Sequence, residues 1–243
     1  MRYSWFMAIK PEDILFIDEH FLILYKREYR PVQDDKSGEL SLLAELKTTS
    51  IDGQFLLPET GGLCHRIDRP VLGLVVFART PKALAAFNEM LKSRKVQKTY
   101  WAVVEAEPPR PAATLTDLIT KNEKTNRSRV SSRPAANPAP AEKQAELSYK
   151  TLGKTDRYWM LEVSLSTGRH HQIRAQLSHM GCPIKGDIKY GARRTNPGGG
   201  ISLFSRSISF AHPFGRQLIE IKALPLESPK GRPDPLWACF PDQ

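Results

Sequence analysis

The feature that most constrains this chain is an uninterrupted apolar run, Leu72 to Ala78, that directly follows a cluster of charged side chains. Seven residues without a polar side chain, rich in Val and Leu, are typical of a β-strand covered on both faces. The cluster before the run places His65, Arg66, Asp68 and Arg69 within five residues. The sequence therefore predicts that Asp68 lies at the mouth of a buried strand.

The charges beside Asp68 suggest a chemical use for it. Arg66 and Arg69 flank the carboxylate, and nearby positive charge favours its ionised form. An ionised carboxylate at a strand end can serve as a nucleophile or as a general base. The same residues also fit a plain ion pair or turn bond, and local composition does not distinguish these interpretations.

The chain contains three motifs: CHRIDRPVLGLVVFART at Cys64 to Thr80, KTYWA at Lys98 to Ala102, and GRHHQIR at Gly168 to Arg174 followed by CPIKGDIKYG at 182–191. These motifs, in this order, resemble those of the RluA-type RNA pseudouridine synthases. The resemblance covers residues 12 to 225 and implies an α+β pseudouridine synthase fold. In that fold a mixed, mainly antiparallel central β-sheet is flanked by helices and loops, with an active-site cleft across the sheet.

The resemblance assigns roles to individual residues. It implies that Asp68 is the catalytic residue and that Arg66 fills the space left by a uridine flipped out of the RNA. Tyr100 resembles the aromatic residue that stacks on the extruded uracil, and Arg174 the arginine that pairs with the catalytic carboxylate. Whether Asp68 attacks covalently or removes a sugar proton stays open.

Other positions receive weaker assignments. Leu203 is either an apolar wall of the base pocket or plain core, with core favoured. His65, His171 and Gln172 are supporting residues, and His171 is expected to make hydrogen bonds behind the site. Phe204-Ser205 stand where the family has His-Ala, so any role of that histidine is absent here.

Charge and cysteine content indicate which partners and which cellular compartment the protein is expected to have. The net charge of +10 favours a polyanion such as RNA, DNA or an anionic membrane, and the resemblance selects RNA, either tRNA or rRNA. Three cysteines without a Cys-x-x-Cys spacing indicate a reducing compartment and no structural zinc. The N-terminal sequence lacks a signal-peptide pattern and no stretch approaches a membrane span, which predicts a cytoplasmic protein. We expect a monomer with no obligatory protein partner.

The chemistry and its rivals can be compared from sequence. Converting uridine to pseudouridine involves no net oxidation or hydrolysis, so it demands neither a metal nor a redox cofactor. A metal-dependent phosphodiesterase using His65, Asp68, His171 and Asp187 is a less favoured alternative, because zincin-like histidine spacing is missing. A noncatalytic RNA-binding module is the other alternative, and the presence of Asp68, Tyr100 and Arg174 argues against it.

The predicted organisation is a single catalytic domain over residues 1–243, without the extra S4-type RNA-binding module that many relatives carry. A basic, proline-containing stretch at about 121–143 reads as an extended loop, either a solvated linker or an arm that clamps RNA phosphates. Local patterns predict strands at 14–17, 21–25, 72–78, 99–104, 144–152, 158–165, 203–213 and 217–223, and helices at 37–46, 81–94, 167–180 and 237–240.

Overall fold

The computed structural model describes residues 9–27, 29–51, 53–131, 139–225 and 236–237. The chain divides into two compact units, the first made of Met1–Val96 with Ser205–Pro233 and the second of Gln97–Phe204 with Asp234–Gln243. That the whole chain forms one catalytic domain stays a prediction.

The described residues form strands and three α-helices that are named here in chain order. The strands are β1 (Ile14–Ile17), β2 (Phe21–Lys26), β3 (Ser50–Ile51), β4 (Gln54–Phe55), β5 (Gly62–Leu63), β6 (Leu72–Ala78), β7 (Gln97–Val104), β8 (Ala112–Asn122), β9 (Arg127–Val130), β10 (Lys143–Lys154), β11 (Trp159–Leu165), β12 (Leu203–Ala211) and β13 (Leu218–Lys222). The helices are α1 (Leu42–Thr48), α2 (Pro81–Lys92) and α3 (Gln172–His179).

The first unit is built around β6, the apolar run. All seven of its residues are buried, as the sequence predicts. It pairs antiparallel with β2 on one side and lies beside β12 on the other, while β1 extends the sheet beyond β2 and β13 pairs with β12. Helix α2 starts after Thr80, whose side chain caps it by accepting a hydrogen bond from the Ala83 amide. Phe87 of this helix packs against Phe210 of β12 with ring centroids 5.1 Å apart.

Gly73 shows how closely the strands of this unit approach each other. Its φ is +109°, a conformation that residues with a side chain rarely adopt. A Cβ built here would lie 2.8 Å from the Ser205 amide nitrogen and closer still to the Ser205 carbonyl oxygen. Only glycine fits the position without displacing β12.

The second unit is an antiparallel sheet in the order β7-β11-β10-β8-β9. Residues directly opposite each other share a face, so Tyr100, Val163 and Tyr149 lie on the same side. Ala145, four residues before Tyr149 on β10, lies on that side too and packs with Ala175 of α3. Helix α3 therefore covers the face of the sheet that carries Tyr100.

Two predicted helix starts are wrong. Helix α1 begins at Leu42, because the Ser41 side chain, not that of Ser37, accepts the capping hydrogen bond from the Ala44 amide. Helix α3 begins at Gln172 instead of near Thr167. The residue before it, His171, has a left-handed backbone with φ of 50°, which ends any helical path from upstream.

The extended loop predicted at 121–143 is wrong for the residues at 121–122, 127–130 and 143, which lie in strands. Strand β8 reaches Asn122, β9 returns along it from Arg127 to Val130, and β10 already starts at Lys143. Composition misled here because the hairpin is stabilised by contacts with residues far away in sequence, described below. Residues 132–138 lie outside the described residues, as does the predicted terminal helix beyond Trp237.

No helix in the described part of the chain is long and apolar enough to span a bilayer.

Candidate active site

In the first unit, Asp68 lies in a turn that leads into β6. Its side chain is half-buried, Arg66 is exposed and His65 is half-buried. The backbone carbonyl of Asp68 accepts a hydrogen bond from the Val71 amide at 3.0 Å, which closes the turn. Exposure of Arg66 suits a side chain that is expected to enter RNA.

A buried lysine donates hydrogen bonds to the backbone of this turn. Lys26, at the end of β2, is only 2% exposed, and its Nζ donates to the carbonyl oxygens of Arg69 at 2.9 Å and Val71 at 2.6 Å. Both acceptors lie within three residues of Asp68. Lys26 thus fixes the backbone that carries the candidate catalytic carboxylate.

Arg69 does not simply add its charge to Asp68, as its sequence position suggested. Its guanidinium forms a surface ion pair with Glu39, which precedes α1. The flanking positive charge is therefore shared with a second carboxylate that the sequence alone did not place nearby.

In the second unit, Tyr100 and Trp101 occupy successive positions on β7 and point to opposite faces. Tyr100 is buried on the face covered by α3. Trp101 is a core residue buried on the other face, where its ring stacks against Trp237 with centroids 6.4 Å apart. Leu203, at the start of β12, is also buried, as both interpretations of it require.

Arg174 is the most firmly oriented charged side chain of this unit. Both Arg174 and Asp187 are nearly inaccessible, at 4% and 1% exposure. The arginine donates from Nε to Oδ2 at 2.7 Å and from Nη2 to Oδ1 at 2.8 Å of Asp187. Such a two-point pair sets both the position and the plane of the guanidinium. Pairing of Arg174 with Asp68 stays a prediction.

Tyr190 completes the environment of Arg174. The guanidinium carbon lies 4.8 Å from the centre of the tyrosine ring. The phenol oxygen accepts from the Ser128 amide at 2.7 Å and lies 2.9 Å from Nδ1 of His171. His171 thus contacts the same tyrosine as Arg174, and its supporting role in the site stays a prediction.

Strand β9 is attached to the same cluster through Ser128. Its hydroxyl donates to the His170 carbonyl and lies 2.9 Å from the His170 Nδ1. The rings of His170 and His171 stack with centroids 3.7 Å apart, because both residues precede α3 instead of lying on it. Adjacent residues on a helix would instead diverge by about 100°.

Gln172 shapes the loop that leads into α3. Its Oε1 accepts from the Thr167 hydroxyl at 2.8 Å and the Arg169 amide at 2.9 Å, and its Nε2 donates to the Glu146 carbonyl at 3.1 Å. Gln172 thus orients the backbone of the motif, and its supporting role in the site stays a prediction.

Lys98 also lies in this region, on the same face of β7 as Tyr100. A Cβ built on Gly168 would be 3.5 Å from its Nζ. Burial lowers the pKa of the Lys98 ammonium below its usual range.

Two of the four side chains that the phosphodiesterase alternative would use have other partners in the structure. Asp187 binds Arg174, and His171 bonds to Tyr190. Within the described ranges, no group of three or more His, Cys, Asp or Glu side chains is arranged to hold a metal ion.

Sequence reasoning missed three contributors: Lys26, Asp187 and Ser128. Asp187 was considered only in the phosphodiesterase alternative, although its place in GDIKYG, shortly after Arg174, was the available signal. No local sequence pattern distinguishes Lys26 or Ser128 from ordinary surface residues.

Comparison with known proteins agrees with the motifs. Ribosomal large subunit pseudouridine synthase C of Vibrio parahaemolyticus is 29% identical over 221 residues, 88% of this chain and 66% of that protein. An uncharacterized RNA pseudouridine synthase of Chloroflexus aurantiacus is 36% identical over 156 residues, 64% of this chain and 46% of that protein. The chain thus spans about two thirds or less of the length of these relatives.

A solved structure, human RNA pseudouridylate synthase domain containing 4, matches with a TM-score of 0.71 and 22% identity, covering 87% of this chain and 88% of the other. This likeness confirms the predicted fold class. A family model described as RNA pseudouridylate synthase matches residues 20–179, well over half of the chain. The chain therefore belongs to the RNA pseudouridylate synthase family.

Proposed function

We propose that the protein is an RNA pseudouridine synthase that isomerises uridines in structured RNA, in tRNA, rRNA or both. In the reaction the bond from the ribose to N1 of uracil breaks, the base turns, and a new bond forms from the ribose to C5. The proton originally on C5 leaves to water, and N1 takes up a proton, so the product is an isomer of the original nucleoside. The reaction needs a carboxylate, a positive charge and a surface that retains the free base.

The observation that carries this proposal is the fixed guanidinium of Arg174. Asp187 and Tyr190 orient it on the helix that covers the Tyr100 face of the sheet. In this proposal Asp68 is the catalytic carboxylate, Tyr100 carries the uracil, and Arg174 supplies the positive charge. Stacking of a base on an aromatic ring contributes about 1–3 kcal/mol.

RNA binding and base extrusion complete the proposal. The excess of ten basic residues favours a polyanionic substrate. Flipping a uridine out of folded RNA costs a few kcal/mol of stacking, and the exposed Arg66 is proposed to occupy the vacated space. We further propose that the protein acts as a monomer in the cytoplasm, without a protein partner.

Release of tritium from RNA labelled at C5 of uracil tests the activity directly. The RNA is isolated from cells that lack the protein and were grown with [5-³H]uridine, so that the unmodified target is present whichever RNA contains it. We expect wild-type protein to release tritium and Asp68→Asn to release none while still binding RNA. Asp156→Asn, in an exposed turn, is the matched control. Release by Asp68→Asn would remove Asp68 from the catalytic role.

Mapping of pseudouridines identifies the substrate. RNA from cells with and without the protein is compared position by position, and a site lost only in the deletion strain is the target. Restoration by the wild-type gene, but not by the Asp68→Asn gene, is the expected result.

A further inference from the structure

Lys98 and Tyr100 lie two residues apart on β7 and therefore present their side chains to the same face. Two residues of a strand span about 6.6 Å, so the ammonium and the aromatic ring can reach adjacent parts of one nucleotide. Lys98 has no role in the reaction as proposed above.

The environment of Lys98 is unfavourable for a lysine that has only a structural role. Burial disfavours its charged form, and among the described residues no hydrogen bond or ion pair of its Nζ is found. Lys26 offers the contrast, because that buried ammonium donates to two carbonyl oxygens. A partly desolvated cation without a protein acceptor is arranged to receive an anion from outside.

The loop beside the ammonium carries no side chain at Gly168, where even a methyl group would lie 3.5 Å from Nζ, in van der Waals contact. Longer side chains at this position would cover the ammonium. The loop is held in place by Gln172, which accepts the hydrogen bond from the Arg169 amide.

We propose that Lys98 binds a backbone phosphate of the nucleotide whose base lies on Tyr100. A phosphate is negatively charged both before and after binding. Its charge therefore offsets the cost of burying the ammonium, which lysine presents as a point charge. This inference rests on the proposed synthase function, because that function places the uridine on Tyr100.

Two measurements test the proposal, both with the labelled RNA from cells lacking the protein. Steady-state tritium release gives kcat and KM for the wild type, Lys98→Met, Lys98→Arg and the control Lys154→Met, which alters an exposed lysine of the same unit. Binding at several salt concentrations, in the inactive Asp68→Asn background, gives the slope of log Kd against log salt.

We expect Lys98→Met to raise KM about 10-fold with little change in kcat, as for loss of one charged hydrogen bond. The salt slope should decrease by about 0.7 to 0.9, the contribution of one phosphate contact. Lys98→Arg should retain the slope, and Lys154→Met should behave as the wild type.

Unchanged KM and salt slope in Lys98→Met would overturn the proposal and leave Lys98 a structural residue. A fall in kcat alone would also overturn it, because the ammonium would then act on the reacting base. If the wild type releases no tritium, the proposed function fails, whereas the salt slope still decides whether Lys98 contacts phosphate.

Discussion

Arg174 and Asp187 form a two-point ion pair in the interior of the second unit, with nitrogen to oxygen distances of 2.7 and 2.8 Å. The pair joins helix α3 to the turn that follows it in the chain. Because both partners are almost fully buried, neither can rotate to find water if the other is removed.

Asp187→Asn should therefore impair both stability and activity. Removing one partner of a buried pair costs about 3–5 kcal/mol, and Arg174 loses the contacts that orient its plane. We expect a lower melting temperature. We also expect a lower kcat for tritium release, measured at a temperature where the variant is still folded.

Asp117→Asn is the matched control, because Asp117 accepts a hydrogen bond from Gln176 of the same helix at 2.7 Å. It should retain kcat. If Asp187→Asn lost stability but kept the wild-type kcat, orientation of Arg174 would not matter for the reaction.

Lys26→Met should loosen the turn that carries Asp68. The carbonyl oxygens of Arg69 and Val71 would lose their donor, at about 1–3 kcal/mol for each buried group left unsatisfied. We expect a lower free energy of unfolding in denaturant titrations and a lower kcat. Lys47→Met removes a similar bond to the Glu59 carbonyl at the surface and should change stability by less than about 0.5 kcal/mol. Equal effects of the two variants would contradict a special role for Lys26.

Gly73→Ala should be among the most disruptive single-methyl additions in the protein. The new Cβ would collide with the backbone of Ser205 and would require a positive φ as well. Gly53→Ala isolates the second effect, since Gly53 has a φ of +79° but nothing within 4 Å of its Cβ position. It should cost about 1 kcal/mol. Thermal unfolding of both variants measures the difference, which should vanish if β12 can shift freely.

Tyr190→Phe should detach β9 while leaving the ring beside Arg174 in place. Loss of the phenol oxygen leaves the buried Ser128 amide without its acceptor, which costs about 1–3 kcal/mol. Hydrogen exchange of the β9 amides should accelerate. Tyr158→Phe, which changes another tyrosine of the same unit, should leave that exchange unchanged. Slow exchange in Tyr190→Phe would show that other contacts suffice to hold the hairpin.

Lys98 predicts a specific dependence of stability on pH. Its pKa is lowered in the folded protein, so between the folded and unfolded pKa values the unfolded chain binds more protons. Stability contributed by this group therefore rises with pH through that window and is least favourable below it. Lys98→Met should raise the melting temperature at pH 7, with a gain that shrinks toward pH of about 10.4, the ordinary lysine value. A gain independent of pH would instead reflect better packing by methionine.

Local sequence patterns predicted the elements that have strong periodicity. The apolar run of β6, the hairpin of β1 and β2, and the paired strands β10 and β11 all lie where alternation or continuous hydrophobicity indicated. Helix starts were less predictable, because the cap at Ser41 and the left-handed backbone at His171 each depend on one residue.

By itself, the sequence determined the family, the strand pattern and the candidate residues Asp68, Tyr100 and Arg174, because short motifs and side-chain periodicity are local properties. Only the tertiary structure showed that Asp187 orients Arg174 and that Lys26 donates hydrogen bonds to the turn after Asp68. It also showed that Ser128 attaches a strand of the basic segment to Tyr190 and His170. These are hydrogen bonds and ion pairs between residues 13 to 62 positions apart, and their partners leave no periodic trace in the chain.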